Sequence, residues 1–242
     1  MGQLCDAAEC IAAISELVSE SPAKRALVLG GSGGIGSALA QKLRSDGCDV
    51  TTLSRTADGF DITNEAAIKQ ALGKLDPPYH TIITATGALT SGNVQPEKSL
   101  RALDPETLAA QFAVNATGPA LVLKHAQRLL PRRERAVFAA LSARVGSIGD
   151  NNLGGWYSYR ASKAALNQLI HTAAIELGRS HKQAICVVLH PGTVTTSFTE
   201  NYRNHASVPP QESAANLINV LDGLTPEQTG LFFDWAGKPV PW

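Results

Sequence analysis

Arg25-Ala26-Leu27-Val28-Leu29-Gly30-Gly31-Ser32-Gly33-Gly34-Ile35-Gly36 is the stretch that decides the fold. Its first part is an aliphatic run of buried-strand length, and it gives way at once to a turn rich in glycine. Ser37-Ala38-Leu39-Ala40-Gln41-Lys42-Leu43 then takes up helical spacing. A strand that feeds a glycine turn into a helix N-terminus leaves backbone N–H groups unpaired, with the positive end of the helix pointing outward, so the turn attracts an anion. Glycine also lets a pyrophosphate approach the backbone closely. The strand and helix on either side make this a dinucleotide-binding unit, with Gly30, Ser32, Gly33, Gly34, Ile35 and Gly36 as its contacts.

Working outward, the next strand run, Asp49-Val50-Thr51-Thr52-Leu53, ends at Ser54-Arg55. An NAD-selective site places a carboxylate there for the ribose hydroxyls, roughly twenty residues past the glycines. A hydroxyl and a guanidinium stand there instead. Arg55 suits a 2′-phosphate, which favours NADP(H) over NAD(H). A third strand run, Thr81 to Ala85, leads into Thr86-Gly87-Ala88, small residues where a cofactor passes close to the chain.

Asp104-Pro105 predicts a helix start, with aspartate as cap and proline in the first turn. That helix runs on through Asn115 and Leu121 but contains Gly118-Pro119. Pro119 has no N–H for the Asn115 carbonyl, so a kink and a free carbonyl at Asn115 are expected.

The fourth strand run, Ala136 to Leu141, delivers Ser142-Ala143-Arg144-Val145-Gly146-Ser147. Gly154-Gly155-Trp156-Tyr157-Ser158-Tyr159-Arg160-Ala161-Ser162-Lys163 follows and opens a long amphipathic helix. Tyr159 and Lys163 are four apart and share a face, whereas the residue four on from Tyr157 is Ala161. Using a phenol near neutral pH asks for a shift of roughly 3 units, about 4 kcal/mol. A cation ~4 Å away supplies that only at an effective dielectric near 20, so the pair has to sit in a cleft shielded from water.

The chain has 242 residues, 44% of them hydrophobic, enough for one large α/β domain and short for two. Its 21 basic and 21 acidic residues give no net field toward nucleic acid or anionic lipid. Cys5, Cys10, Cys48 and Cys186 form no metal-ligand spacing, so no metal site is expected and a reduced cytoplasmic setting fits. We read no export signal and no membrane span. Residues 1–22 read as a short amphipathic helical extension with Ile11, Ile14, Leu17 and Val18 on one stripe, ahead of a domain spanning 23–242. After the strand Ile185 to Leu189, the polar, irregular segment from Thr195 to Pro210 reads as a lid.

Taken as a set, the Gly30, Gly34 and Gly36 spacing, Asn115, the Tyr159 to Lys163 motif, and Pro191-Gly192 with Val194 and Thr196 resemble the short-chain dehydrogenase/reductase family. Gly146-Ser147-Ile148-Gly149-Asp150-Asn151 and the stretch from Gly154 to Lys163 look most like its C-factor and sniffer-type carbonyl reductase branch. The resemblance implies a single-domain, Rossmann-type, doubly wound, mostly parallel seven-stranded sheet with helices on both faces. It implies a homodimer or homotetramer that passes hydride between a nicotinamide and a small-molecule carbonyl or alcohol. Tyr159 would be the general acid or base, and Lys163 would lower its pKa and hold the nicotinamide ribose. Asn115 would anchor a relay water through its main chain. Val194 and Thr196 would contact the carboxamide, and Asp61 and Ile62 the adenine. The sequence departs from the family at the substrate-orienting serine, where the pair at the strand end reads Ser142-Ala143. Ser142 is the expected replacement and Ser147 the alternative. The departure motivates a rival reading, an NADP(H)-binding regulatory or signalling protein with little turnover.

Overall fold

The computed structural model describes residues 23–90, 95–196, 198 and 207–242. The helical extension expected over 1–22 and most of the lid segment lie outside them. The six described strands are β1 (Arg25–Leu29), β2 (Asp49–Leu53), β3 (Thr81–Thr84), β4 (Ala136–Leu141), β5 (Ala184–His190) and β6 (Phe232–Asp234). They form one sheet in the order β2-β1-β3-β4-β5-β6. Every neighbouring pair is parallel.

Because helices cover both faces, successive residues of one strand enter different cores. Leu27 and Leu29 pack with Phe138 and Leu166 on one side, while Ala26 and Val28 pack with Leu39 and Leu217 on the other. This is why the central strands carry unbroken apolar runs instead of alternating with polar residues. Helices α1 (Gly34–Ser45) and α6 (Pro210–Gly223) close the second core, α2 (Glu65–Gly73), α4 (Gly118–Ala126) and the long α5 (Tyr157–Ser180) lie over the first, and α3 (Pro105–Phe112) packs against α5.

Among the described residues six parallel strands stand where the resemblance implied a mostly parallel seven, and the segment after β2 explains the difference. Residues 55–58 form a single helical turn capped by the Ser54 side chain, which accepts from Ala57 N, and Gly59 ends the turn at φ 64°. α2 then begins at Glu65. A further parallel strand beside β2 needs a crossover of roughly a dozen residues or more, for which there is no chain.

The helix expected from Asp104 is present, and the Asp104 carboxylate accepts from Thr107 N at 2.7 Å. At the expected kink the chain forms a π-helical turn, Ala113–Thr117, with Gly118 N donating to Ala113 O, before α4 resumes. Pro119, unable to donate, makes the wider turn tolerable, and such single π-turns within α-helices are frequent at functional sites.

The chain leaves β1 toward β2 and then returns across it to β3. The crevice at the carboxyl ends of β1 and β3 is therefore the topological switch point, where ligands bind in open α/β sheets.

Candidate active site

A cleft of about 1340 Å³ opens along those carboxyl ends. It exceeds the roughly 300–1,000 Å³ that serves one drug-sized ligand, so a dinucleotide and a second molecule fit together.

One end of the cleft is the glycine turn. Gly30 has φ +89°, a left-handed conformation, and its amide donates to Leu53 O at 2.8 Å. A Cβ on Gly36 would lie 2.2 Å from Gly30 O, and one on Gly34 would lie 2.7 Å from a Thr196 methyl. The turn can close only without a side chain at Gly36, and Thr196 packs where it does against a bare Gly34. Gly30, Ser32, Gly33, Gly34 and Ile35 line the cleft, whereas Gly36 supports the turn from behind. Ser54, Arg55, Asp61, Ile62, Gly87, Pro191, Gly192, Val194 and Thr196 line it as well. The buried Thr86 hydroxyl, beside Gly87, has no hydrogen-bond partner. The bare glycine cradle and this unmatched hydroxyl fit a bound dinucleotide.

At the end of β2 an acid does stand near the ribose position: Asp58 accepts from Ser54 N at 2.7 Å and from Ser54 Oγ at 3.2 Å. Those bonds turn its carboxylate into the helical turn. Arg55 lines the cleft and Asp58 does not. Asp61 accepts from the amide and hydroxyl of Thr63, which holds its carboxyl below the usual range.

At the other end of the cleft, α5 brings in Tyr159 and Lys163, both buried and both in the wall. Lys163 Nζ lies 5.9 Å from the centre of the Tyr159 ring and donates to Leu141 O, at the end of β4, at 2.8 Å. Burial pushes the phenol pKa above its usual range. It also brings the lysine down to about 7. The expected lowering of Tyr159 by Lys163 is therefore corrected. Loss of water acts on both groups, and an amine near half-charge at neutral pH is a weak counterweight.

Asn115 sits in the π-turn, fully buried, outside the cleft lining. Its side chain clamps the β3 exit: Oδ1 accepts from Ala88 N at 2.9 Å and Nδ2 donates to Ala88 O at 2.8 Å. Nδ2 also donates to Gln111 Oε1 at 2.6 Å and reaches Ser162 Oγ on α5 at 3.2 Å. Ser142 lines the cleft, but its hydroxyl donates to Asn167 Oδ1 on α5 at 2.6 Å, and Ala143 lines the cleft next to it. Ser147 is buried outside the lining, where its oxygen accepts from Asp150 N at 3.1 Å.

Phe198 belongs to the expected lid, and several other residues at the wall were not anticipated. Trp156 meets the Tyr159 ring edge-on at 6.2 Å between centroids, and Phe198 flanks the same ring at 6.2 Å. Arg144 donates to Asp150 on the loop and to Asp234 on β6, each at 3.0 Å. Asp234 Oδ1 also accepts from the amides of Ala236 and Lys238. His190, at the end of β5, is brought down to about 4 by burial and by Arg144. An aromatic directly after paired glycines, three residues before the motif tyrosine, was the one readable signal among these. The contacts of Arg144 span up to 90 positions and had none.

Comparison with known proteins gives a consistent result. A family model described as enoyl-(acyl carrier protein) reductase matches residues 30–227. The chain is 30% identical over 236 residues to a 1-hydroxy-2-glutathionyl-2-methyl-3-butene dehydrogenase of Rhodococcus sp. (strain AD45), covering 89% of this chain and 98% of that one. It is 36% identical over 143 residues to the C-signal of Myxococcus xanthus, covering 58% of this chain and 81% of that one. A crystal structure of an NADPH-bound carbonyl reductase from chicken fatty liver superposes with a TM-score of 0.74 at 23% identity, over 94% of this chain and 97% of that one, which shows the shared fold. With the glycine turn, the switch-point cleft and the tyrosine–lysine pair in one wall, these likenesses show that the chain belongs to the short-chain dehydrogenase/reductase family of oxidoreductases.

Proposed function

We propose that this oxidoreductase uses NADP(H) in preference to NAD(H) to interconvert a carbonyl and an alcohol on a small-molecule substrate, with Tyr159 as the proton-transfer group. The observation that carries the reading is the burial of Tyr159 and Lys163 in the wall of the cleft that begins at the bare glycine turn. The bound nicotinamide supplies the hydride for reduction and accepts it for oxidation.

The chain's own residues do the rest. Ser32 and the start of α1 at Gly34, Ile35 and Gly36 would offer backbone N–H groups to the pyrophosphate, the amides of Gly30, Gly31 and Gly33 being already bonded to Leu53 O and Gly30 O. Arg55 answers the 2′-phosphate, Asp61 and Ile62 border the adenine, and Val194 and Thr196 border the carboxamide. For reduction the Tyr159 phenol gives its proton to the substrate oxygen as the carbon takes the hydride, and burial favours the protonated phenol that this direction needs. Lys163, held by Leu141 O, lies one turn on to orient the ribose and return a proton. Asn115 fixes the shape of the β3 exit, and through its main chain it would hold a relay water. Ser142, bonded to Asn167, sets β4 against α5, and as the hydroxyl of the cleft wall it remains the candidate for orienting the substrate. A cytoplasmic homodimer or homotetramer belongs to this reading; balanced charge and, among the described residues, the free thiols of Cys48 and Cys186 support the location. No helix among the described residues is long and apolar enough to cross a membrane.

A panel of aliphatic, aryl and quinoid carbonyls with NADPH, run beside cofactor binding measured by fluorescence, tests the proposal. Turnover that vanishes in Tyr159→Phe while NADPH still binds is the expected result. The C-signal likeness and Ala143 favour a second reading, a cofactor-binding regulatory protein. Tight NADPH binding with no carbonyl reduced, and no difference between wild type and Tyr159→Phe, would select it.

A further inference from the structure

Glu97 precedes Ser158 by 61 positions yet lies against the first turn of α5. It is buried, at 4% exposure. Its main-chain oxygen accepts from Trp156 N at 2.5 Å, and its carboxylate accepts from Ser158 N at 3.2 Å and from the Ser158 hydroxyl. No side chain of α5's own cap position does this work, because that position is Trp156. The first N–H groups of a helix have no acceptor within it, so Glu97 supplies from a distant loop what a local serine or aspartate usually supplies.

The backbone that Glu97 holds is unusual. Gly154, Gly155 and Trp156 have φ of +65°, +65° and +54° in succession. The glycines adopt this freely, but a tryptophan does so only at a steric cost, and such a conformation persists only where the surroundings over-determine it. It is also what turns the Trp156 indole edge-on to the Tyr159 ring, with both rings in the cleft wall.

We infer that Glu97 is a positioning residue: it locks the left-handed lead into α5 and thereby sets where the indole and the phenol stand in the cleft. It touches neither substrate nor cofactor. Its effect on turnover rests on the proposed reaction, whereas its effect on Trp156 does not.

The test uses the whole chain labelled with 5-fluorotryptophan. The sequence has three tryptophans, so three ¹⁹F resonances arise, and Trp156→Phe assigns one of them. Glu97→Ala should shift or broaden the Trp156 resonance and leave those of Trp235 and Trp242 in place. It should lower kcat about tenfold or more with the NADPH Kd changed less than about twofold, because ångström-scale misplacement of a reacting group costs that much. Glu97→Gln keeps an acceptor oxygen and should stay within about threefold of wild type. An unmoved Trp156 resonance would overturn the inference. So would kcat, cofactor affinity and Tm falling in step, which marks a cap that only holds the fold. If Glu97→Ala does not fold, Glu97→Asp decides: the same charge with a shorter reach should displace the Trp156 signal, and a wild-type signal would refute the role. A wild type that reduces no carbonyl would defeat the proposed reaction, and the ¹⁹F comparison would still decide the role of Glu97.

Discussion

Replacing Lys163 by methionine should make the protein more stable at neutral pH and remove most of the gain in stability that the wild type shows on going alkaline. The lysine titrates near 7 in the folded chain because burial disfavours its charged form. In the unfolded chain it titrates near 10.4. Between those values the unfolded chain holds more protons, so folding stability rises with pH. The penalty for carrying this amine is about 4 kcal/mol at pH 7 and about 2 kcal/mol at pH 9, a gain of about 2 kcal/mol across the interval. Tyr159 does not interfere there. Its folded pKa is raised, so its own contribution is a loss of stability that begins only as pH passes the unfolded phenol's value, near 10. Cys186, also raised by burial, opposes the gain, but it is common to both proteins. The assay is therefore urea unfolding of wild type and Lys163→Met at half-unit steps from pH 7 to 9, read as the difference at each pH with m held constant. Methionine keeps the unbranched stem and loses only the bond to Leu141 O. A difference that stays flat across the interval, or that favours wild type at pH 7, would refute the argument that desolvation outweighs the lysine's partners.

Tyr159→Phe should cut turnover by about 10²–10⁴-fold, the usual worth of a positioned proton donor, with the NADPH Kd nearly unchanged in fluorescence titrations. Arg55→Ala should raise the Kd for NADPH about 10-fold to 100-fold and leave that for NADH as it was, since a charge-assisted pair to phosphate is worth about 1.5–3 kcal/mol. Gly36→Ala would put a Cβ 2.2 Å from Gly30 O, and calorimetry should find dinucleotide binding lost with the fold weakened. Asn115→Ala would unclamp Ala88 and leave Gln111 without its partner, and a stability loss of about 2–3 kcal/mol should appear in urea unfolding.

What could be read from the chain was whatever rests on neighbours in sequence. The run from Arg25 to Gly36 announces strand, turn and helix because period and composition change within a dozen positions. Tyr159 and Lys163 share a face because helical spacing alone puts them there. The kink at Asn115 followed from one missing N–H at Pro119, although its resolution as a π-turn needed the packing around Asn115. The direction of the Tyr159 shift was not legible. Spacing gives a distance between charges, but the balance turns on how much water both groups lose, which depends on β4 and on loops far away in sequence. Ser142 failed to declare its partner for a similar reason, since its hydroxyl is taken by Asn167, 25 positions on. Glu97 carried no signal at all, because a capping group 61 residues from its helix leaves no local pattern. The strand count went astray by reliance on likeness, where the short path from Leu53 to Glu65 held the answer.

The double grip of Arg144 bears on how such a protein could be re-engineered. One guanidinium ties the loop that walls the substrate end, through Asp150, to the last strand, through Asp234. Transplanting residues 147–155 from a relative would therefore not transfer that relative's selectivity by itself. The graft would have to bring its own anchor on the β4 exit and a matching acid on β6, so the modular unit for exchange is a discontinuous one, split between the middle of the chain and its final strand.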